Sequence, residues 1–350
     1  MGESTTAIPQ GSWVLVTGAN GYTGSHVVIE LLKQGFNVRG TVRNLEYSQW
    51  LLDHPSVKPF VDQGRRIELV LADTSKPNDF DDAVKGVSAV IHLAVFSDIS
   101  PDPNVTIPAT VESALTVCRA AAKAASVERF VFSSTFWSAA MPVPGDTSTI
   151  TNLDTWNEES VKAAWAPPPY EWSRMLPVFM AAKVEAEKAV WKYVADNELP
   201  WVVNAVSPCW IMGDPLHERH LLPLPIQLLQ QLYLGKKEAL LETSAVYHAH
   251  VSDVAVIYVA AVIDPHVKHS RIQVLARSLN WNDCLAILRN AYPDVEFEDD
   301  FLSGNPTLTY NIENDLAPGL LQKWAGRGWI GLDRSITEVI EFSKKQGSLD

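Results

Sequence analysis

Cysteine is scarce in this chain: Cys118, Cys209 and Cys284 are the only three in 350 residues, widely spaced and odd in number. That excludes a disulfide framework and offers no zinc-ligand spacing, so no metal site is expected and a reducing compartment fits. Basic residues are in deficit too, with 28 Lys and Arg against 41 Asp and Glu and a net charge of −13. Such a field repels phosphodiester backbones and anionic lipid, so neither nucleic acid nor a membrane is an expected partner. No apolar run approaches bilayer length, and Met1 to Gln10 lacks the basic start and apolar stretch of a secretory signal. Repeats and low-complexity tracts are also missing. The expectation is a cytoplasmic protein, monomer or homodimer, that works on a small molecule.

What the chain does have is alternation. Trp13 to Thr17 (WVLVT) is a short apolar run that enters a glycine-rich turn, and Tyr22 to Gln34 follows with helical spacing of its apolar residues. Phe36 to Val42, Ile67 to Leu71, Val87 to Leu93, Arg129 to Ser133 and Trp201 to Val206 read as five further strands. Helical stretches at Thr110 to Ala125 and Val178 to Asn197 lie between them. Near-continuous apolar strands separated by helices predict an α/β fold: a doubly wound parallel Rossmann sheet with a smaller, mixed C-terminal substrate-binding region. The expected division is 1–207 for the dinucleotide-binding domain, with an insertion at 142–170 near the active site. Residues 208–350 form the substrate-binding region, with segments returning to the core. Helices are expected there at Leu221 to Leu234, Asn282 to Ala291 and Ile336 to Lys344.

Gly18, Gly21 and Gly24 stand in Thr17-Gly-Ala-Asn-Gly-Tyr-Thr-Gly24, between a strand and a helix. Glycines there allow a tight turn, close approach of backbone N–H groups to a pyrophosphate, and close packing of helix on strand. Asn20 and Tyr22 belong to the same turn. The second strand ends Arg39-Gly-Thr-Val-Arg43 without the acid that would hold a ribose 2′-hydroxyl. Arg43, with Arg39 in reserve, suits a 2′-phosphate instead, so the expected cofactor is NADP(H). Asp73, past the third strand, is placed for the adenine edge, and Pro208 ends the sixth strand at the cofactor.

These residues carry a family resemblance. VTGANGYTGSHVV, the TVR after the second strand, RFVFSST at the fifth and KVEAEKAVW resemble the extended short-chain dehydrogenase/reductase superfamily, of the NAD-dependent epimerase/dehydratase kind. Within it, the chain looks like the fungal carbonyl and aldehyde reductases and the plant dihydroflavonol reductases, over nearly its whole length. The resemblance implies a catalytic serine, tyrosine and lysine. The lysine falls on Lys183, which would also hold the nicotinamide ribose. The serine falls on Thr135, after Ser133 and Ser134, and the tyrosine position holds Phe179. The small serine often found before the lysine is Ala182.

Threonine still donates a hydrogen bond, whereas phenylalanine transfers no proton at any pH. Three explanations compete: an engineered change at 179, a different proton donor such as Tyr170, or a site turned to chemistry without hydride transfer. Because Thr135 and Ala182 depart together with Phe179, the leading expectation is a non-redox isomerisation, cyclisation or elimination with NADP retained. A histidine (His217, His220 or His248) would be the base, and Thr135 and Ser134 would hold an enolate oxygen. An NADPH-dependent carbonyl reductase and a non-catalytic NADP sensor are the alternatives. His92 and His250 read as structural. Phe96, Trp137, Trp172 and Trp210, with Trp165, are the aromatic candidates for an aromatic or polyketide-like substrate, although most of the twelve tryptophans must fill core.

Overall fold

The structure, a computed structural model, describes residues 6–95, 98–141, 143–242, 245–309 and 311–349. The chain divides into two compact units. One comprises Met1–Met141, Leu153–Ser207 and Ala255–Ile272, the other Pro142–Asn152, Pro208–Val254 and Gln273–Asp350.

In chain order the elements begin with β1 (Trp13–Thr17), α1 (Tyr22–Lys33) and β2 (Asn37–Val42). Short helices α2 (Leu45–Ser48), α3 (Trp50–Asp53) and α4 (Lys58–Asp62) lead to β3 (Ile67–Leu71) and β4 (Ala89–His92). Then come α5 (Pro103–Ala122), β5 (Arg129–Ser133), β6 (Ile150–Thr151), α6 (Glu158–Ala164), α7 (Met175–Asp196) and β7 (Val202–Pro208). The remainder is β8 (Trp210–Met212), α8 (Leu224–Tyr233), β9 (Ala245–His250), α9 (Val251–Ile263), β10 (Arg271–Val274), β11 (Arg277–Asn280), α10 (Trp281–Ala291), β12 (Asn311–Ile312), α11 (Ala317–Ala325) and α12 (Leu332–Lys345).

The main sheet runs β3-β2-β1-β4-β5-β7-β10. Its pairs from β3 to β7 are all parallel. Strand order therefore reverses between β1 and β4, and in open α/β sheets the crevice at such a reversal is where ligands bind. Near-continuous burial of β1, β4 and β5 is what a sheet covered on both faces requires. One apolar core joins Leu15, Val90 and Phe130 of the sheet to Val117 of α5 and Val190 of α7.

Helix α5 starts at Pro103, well before the expected Thr110. Pro108 reads as a breaker, yet Asp102 caps the helix by accepting from the Asn104 N–H, and Pro103 occupies a first-turn position where no N–H is needed. Helix α9 was not expected. Its residues from Val254 to Ile263 are all buried, and an apolar surface on every side leaves no 3.6-residue period to read. The 142–170 segment is not one loop, since it contains β6 and α6.

In the second unit, β11-β9-β8 is a mixed sheet, antiparallel between β11 and β9 and parallel between β8 and β9. Strands β12 and β6 form a parallel pair. No helix among the described residues is long and apolar enough to cross a membrane.

Candidate active site

The ends of β1 to β4 converge on a cavity of about 320 Å³ whose lining includes Gly18, Asn20, Gly21, Arg43, Asp73 and Ala94. Five residues expected to bind a dinucleotide thus share one space, at the β1/β4 reversal. Gly18 makes the turn in the left-handed region (φ +67°) that only glycine adopts freely. A Cβ on Gly24 would overlap the Gly18 carbonyl, so α1 packs on the turn as closely as it does only because position 24 has no side chain.

The N-cap of α1, Gly21, offers no side-chain hydrogen bond, and the first turn holds no acid. That end of the helix keeps its positive field and its N–H groups for an anion, which is the fit a pyrophosphate demands. Tyr22, the first residue of α1, is buried edge-on to His26, 6.1 Å away. Asn20 ties the turn to α2 by donating to Ser48 Oγ at 2.8 Å.

Arg43 is exposed on the cavity lining. Arg39 is not available as its reserve. Its guanidinium pairs with Glu68 at 2.5 Å, donates to the carbonyls of Ala83 and Lys85, and lies over the Trp13 ring. Asp73 turns one carboxylate oxygen to the N–H and hydroxyl of Ser75, at 2.9 and 2.8 Å. Those bonds hold its carboxyl below the usual range, and Lys76 and Arg43 add to the effect. Pro208 is the buried last residue of β7 and does not line this cavity.

Sequence reasoning missed the clamp beneath the turn. Thr17 Oγ1 accepts from the N–H groups of Leu93 and Ala94 at 3.0 and 2.9 Å and meets His92 Nδ1 at 2.8 Å. With both lone pairs taken, the hydroxyl proton goes to His92, whose Nδ1 is then a bare acceptor. Burial, helped by Lys183, pulls that imidazole down to about 3. His92 is structural, and Thr17 locks β1 to β4 where the cavity opens.

Lys183 is buried on α7 and donates to the Ser133 carbonyl at 2.6 Å, with its ammonium 5.1 Å from the Phe132 ring centroid. Burial draws it down to about 8 against the opposing pull of Glu187. Phe179 is half-buried one helical turn earlier, on the same face of α7. Thr135 is half-buried just past β5.

Two neighbours differ from expectation. The Ser134 hydroxyl donates to Glu187 Oε2 at 2.5 Å and meets Ser138 Oγ at 2.9 Å, so its proton is committed to a buried network and is not offered to a substrate oxygen. Ala182 lies in an apolar cluster with Ile107, Ala164, Val178 and Ala181. Its small size is a packing requirement and carries no message about chemistry. Tyr170, the substitute phenol, accepts from Asn104 Nδ2 at 3.3 Å and lies beneath Arg174.

The candidate histidine bases are each engaged by partners within the fold. His248 is fully buried on β9, with Nε2 3.0 Å from Ser335 Oγ, and burial pulls it down to about 3. It is a core residue that stays neutral. His217 and His220 each use Nδ1 to accept a backbone N–H of their own loop, from Arg219 and Leu216. His250 pairs with Glu338 at 2.7 Å, in keeping with a structural role.

Among the tryptophans, Trp210 is buried against Trp281 (5.4 Å) in the second unit and fills core. Trp165 and Trp172 are exposed, Trp172 at 77%. Trp137 is half-buried, two residues past Thr135. Phe96 lies outside the described residues.

Two buried neutral histidines are expected to make the protein acid-sensitive. The folded values near 3 lie below the ordinary value of about 6.5, so the unfolded chain takes up protons first as pH falls. Their contribution is complete above about pH 6.5 and is lost progressively toward 3. The urea midpoint is therefore expected to drop between about pH 7 and about pH 5, less so when His92 is replaced by asparagine. A midpoint flat across that range would contradict this assignment.

A parallel sheet with a glycine turn and an open helix N-terminus at the strand-order reversal defines a dinucleotide-binding protein of the Rossmann class, with a buried lysine beside β5. Residues 14–275 match the NAD dependent epimerase/dehydratase family, and the chain belongs to that family. It is 31% identical to the NAD-dependent epimerase/dehydratase terH of Aspergillus terreus, over 97% of this chain and 99% of that protein. It is also 31% identical to aldehyde reductase 2 of Sporidiobolus salmonicolor, over 95% of this chain and 96% of that one. Ketoreductase nvfG of Aspergillus novofumigatus is 31% identical, over 98% of this chain and all of its own length. The solved structure of yeast methylglyoxal/isovaleraldehyde reductase Gre2 with NADPH shares the fold (TM-score 0.76, 22% identity, 97% of this chain and 100% of that one).

Proposed function

We propose that this protein is an NADP(H)-dependent oxidoreductase acting on the carbonyl of an aromatic or polyketide-like small molecule, with turnover limited by the lack of a phenol at position 179. The observation that carries this reading is Lys183, a buried ammonium bonded to the carbonyl of Ser133, two residues before Thr135. Full-length similarity to proteins named aldehyde reductase and ketoreductase supports it. The reduced nicotinamide would supply hydride. Gly18, Asn20, Gly21, Tyr22 and Gly24 would hold the pyrophosphate, Asp73 the adenine end and Lys183 the ribose. Thr135 would donate a hydrogen bond to the carbonyl oxygen, Lys183 keeps further N–H donors for the charge that develops there, and the alkoxide left by hydride transfer would take its proton from solvent water.

The test is NADPH consumption with a panel of aromatic ketones and aldehydes, each run compared with product formed. Oxidation equal to product supports the reading. Absence of oxidation with every carbonyl overturns it.

A second reading, non-redox isomerisation or cyclisation with NADP retained, is favoured by Phe179 itself. With His248 committed to the core and His217 and His220 to their loop, its base would be Lys183, which burial holds near 8. Product formed at constant NADPH absorbance would select this reading.

Selectivity for NADP rests on Arg43. Charge-assisted hydrogen bonds contribute ~1.5–3 kcal/mol, and each ~1.4 kcal/mol is tenfold. Arg43→Ala is thus expected to weaken NADP+ binding about 10–100-fold and leave NAD+ nearly unaffected. Calorimetric titration of both dinucleotides measures this, and an equal loss for the two would remove Arg43 from the 2′-phosphate.

A further inference from the structure

Seven buried side-chain polar atoms lack a partner among the described residues, and Trp137 Nε1 is the only obligate N–H donor among them. The others are hydroxyls, which rotate, an amide oxygen, and an imidazole nitrogen that can stay bare. An indole N–H has one fixed direction and no neutral alternative. Leaving it unpaired carries a desolvation cost that folding alone does not recover.

The segment bearing it is held firmly. Asn157 donates through Nδ2 to the Trp137 carbonyl at 2.8 Å and through its N–H to the Ser138 carbonyl at 3.0 Å. Ser138 in turn donates its N–H to the Thr135 carbonyl at 2.9 Å, and its hydroxyl lies 2.9 Å from Glu187 Oε2. The 3₁₀ turn Phe136–Ser138 also packs on α7, the helix of Phe179 and Lys183. A donor without acceptor therefore sits on a rigid turn two residues from Thr135, which is how a preorganised ligand contact is built.

We infer that Trp137 is a specificity-determining residue whose indole N–H binds an oxygen of an aromatic substrate, a ring carbonyl or phenolic oxygen. The inference rests on the reading that Thr135 faces the substrate. The N–H is covered by neighbouring side chains, so the acceptor enters by displacing them, a rotamer-scale change common at binding sites. Substrates with an aromatic body and one oxygen are thus preferred over hydrocarbons of the same shape, because only the former supply the missing acceptor.

The test uses protein labelled with ¹⁵N in its tryptophans, titrated with 1-acetonaphthone and with 1-ethylnaphthalene, with and without NADP+. The Trp137 indole resonance is assigned by its loss in Trp137→Phe or, should that variant fail to fold, in Trp137→Tyr. The expected result is a downfield shift of that N–H with 1-acetonaphthone alone, and at least a tenfold loss of affinity for this ketone in the variant. An indole resonance that both probes move alike, or that neither moves, overturns the inference, as does a variant that keeps the preference for the ketone. Binding is read without turnover, so the outcome is separate from that of the NADPH assay.

Discussion

Phe179→Tyr is expected to raise kcat for NADPH-dependent reduction of an aromatic ketone by about 10²–10⁴-fold, the usual contribution of a positioned acid. The change adds one oxygen to a ring that is already half-buried and one turn from Lys183 on the same face of α7. A phenol there lies near a buried ammonium, whose charge favours the phenolate and brings the group closer to neutrality than its ordinary value of about 10. The gain should fall on kcat more than KM, since proton donation strengthens only as charge develops on the carbonyl oxygen. It should also carry a pH signature: reduction declines on the alkaline side as the phenol loses its proton. Lys183→Met in the tyrosine background is expected to abolish most of the gain. A folded tyrosine variant with unchanged kcat would show that position 179 does not face the reacting carbonyl.

Arg271→Ala is expected to be the most destabilising single change near the site, by ~3–5 kcal/mol. Arg271 and Glu187 pair at 2.6 Å with their side chains 1% and 0% exposed. Around this pair, Ser134 and Ser138 bond to Glu187 Oε2, and Arg271 donates to the Thr155 carbonyl while lying 4.1 Å over the Trp156 ring. Removing the guanidinium strands a carboxylate that burial cannot solvate, which costs far more than the pair itself contributes. Replacing both partners, Glu187→Met with Arg271→Met, should recover most of the loss because no lone charge remains. Urea midpoints of the three proteins measure this. An alanine variant as stable as the parent would mean that the network does not hold the turn carrying Thr135 and Trp137. The same network explains why Ser134 is unavailable to a substrate: its proton serves the fold.

The parts of this molecule legible from local sequence share a cause. Strands β1 and β5 match the expected bounds to the residue because a parallel strand covered on both faces is almost continuously apolar, and that requirement acts within five residues; edge strand β3 matches as well, although Glu68 interrupts its apolar run and Leu71 is exposed. The proposed dinucleotide cradle rests on the same logic. Gly18, Arg43 and Asp73 are far apart in the chain, but each follows a strand of one parallel sheet, and parallel strands deliver their C-terminal ends to one edge.

Helix α9 escaped because an element buried all round shows no amphipathic period, and its β-branched run suits strand as well as helix. For His248, Trp210, Ser134 and Arg39 the structure departs from the sequence expectation for another reason. Residue type tells what a group can donate or accept, but whether that capacity is free depends on the partner. The partners lie at Ser335, Trp281, Glu187 and Glu68, between 29 and 87 residues away. Periodicity and turn chemistry are short-range and so are written in the chain. Availability of a proton or a lone pair is settled by long-range contacts, and it appears only once folding has brought those residues together.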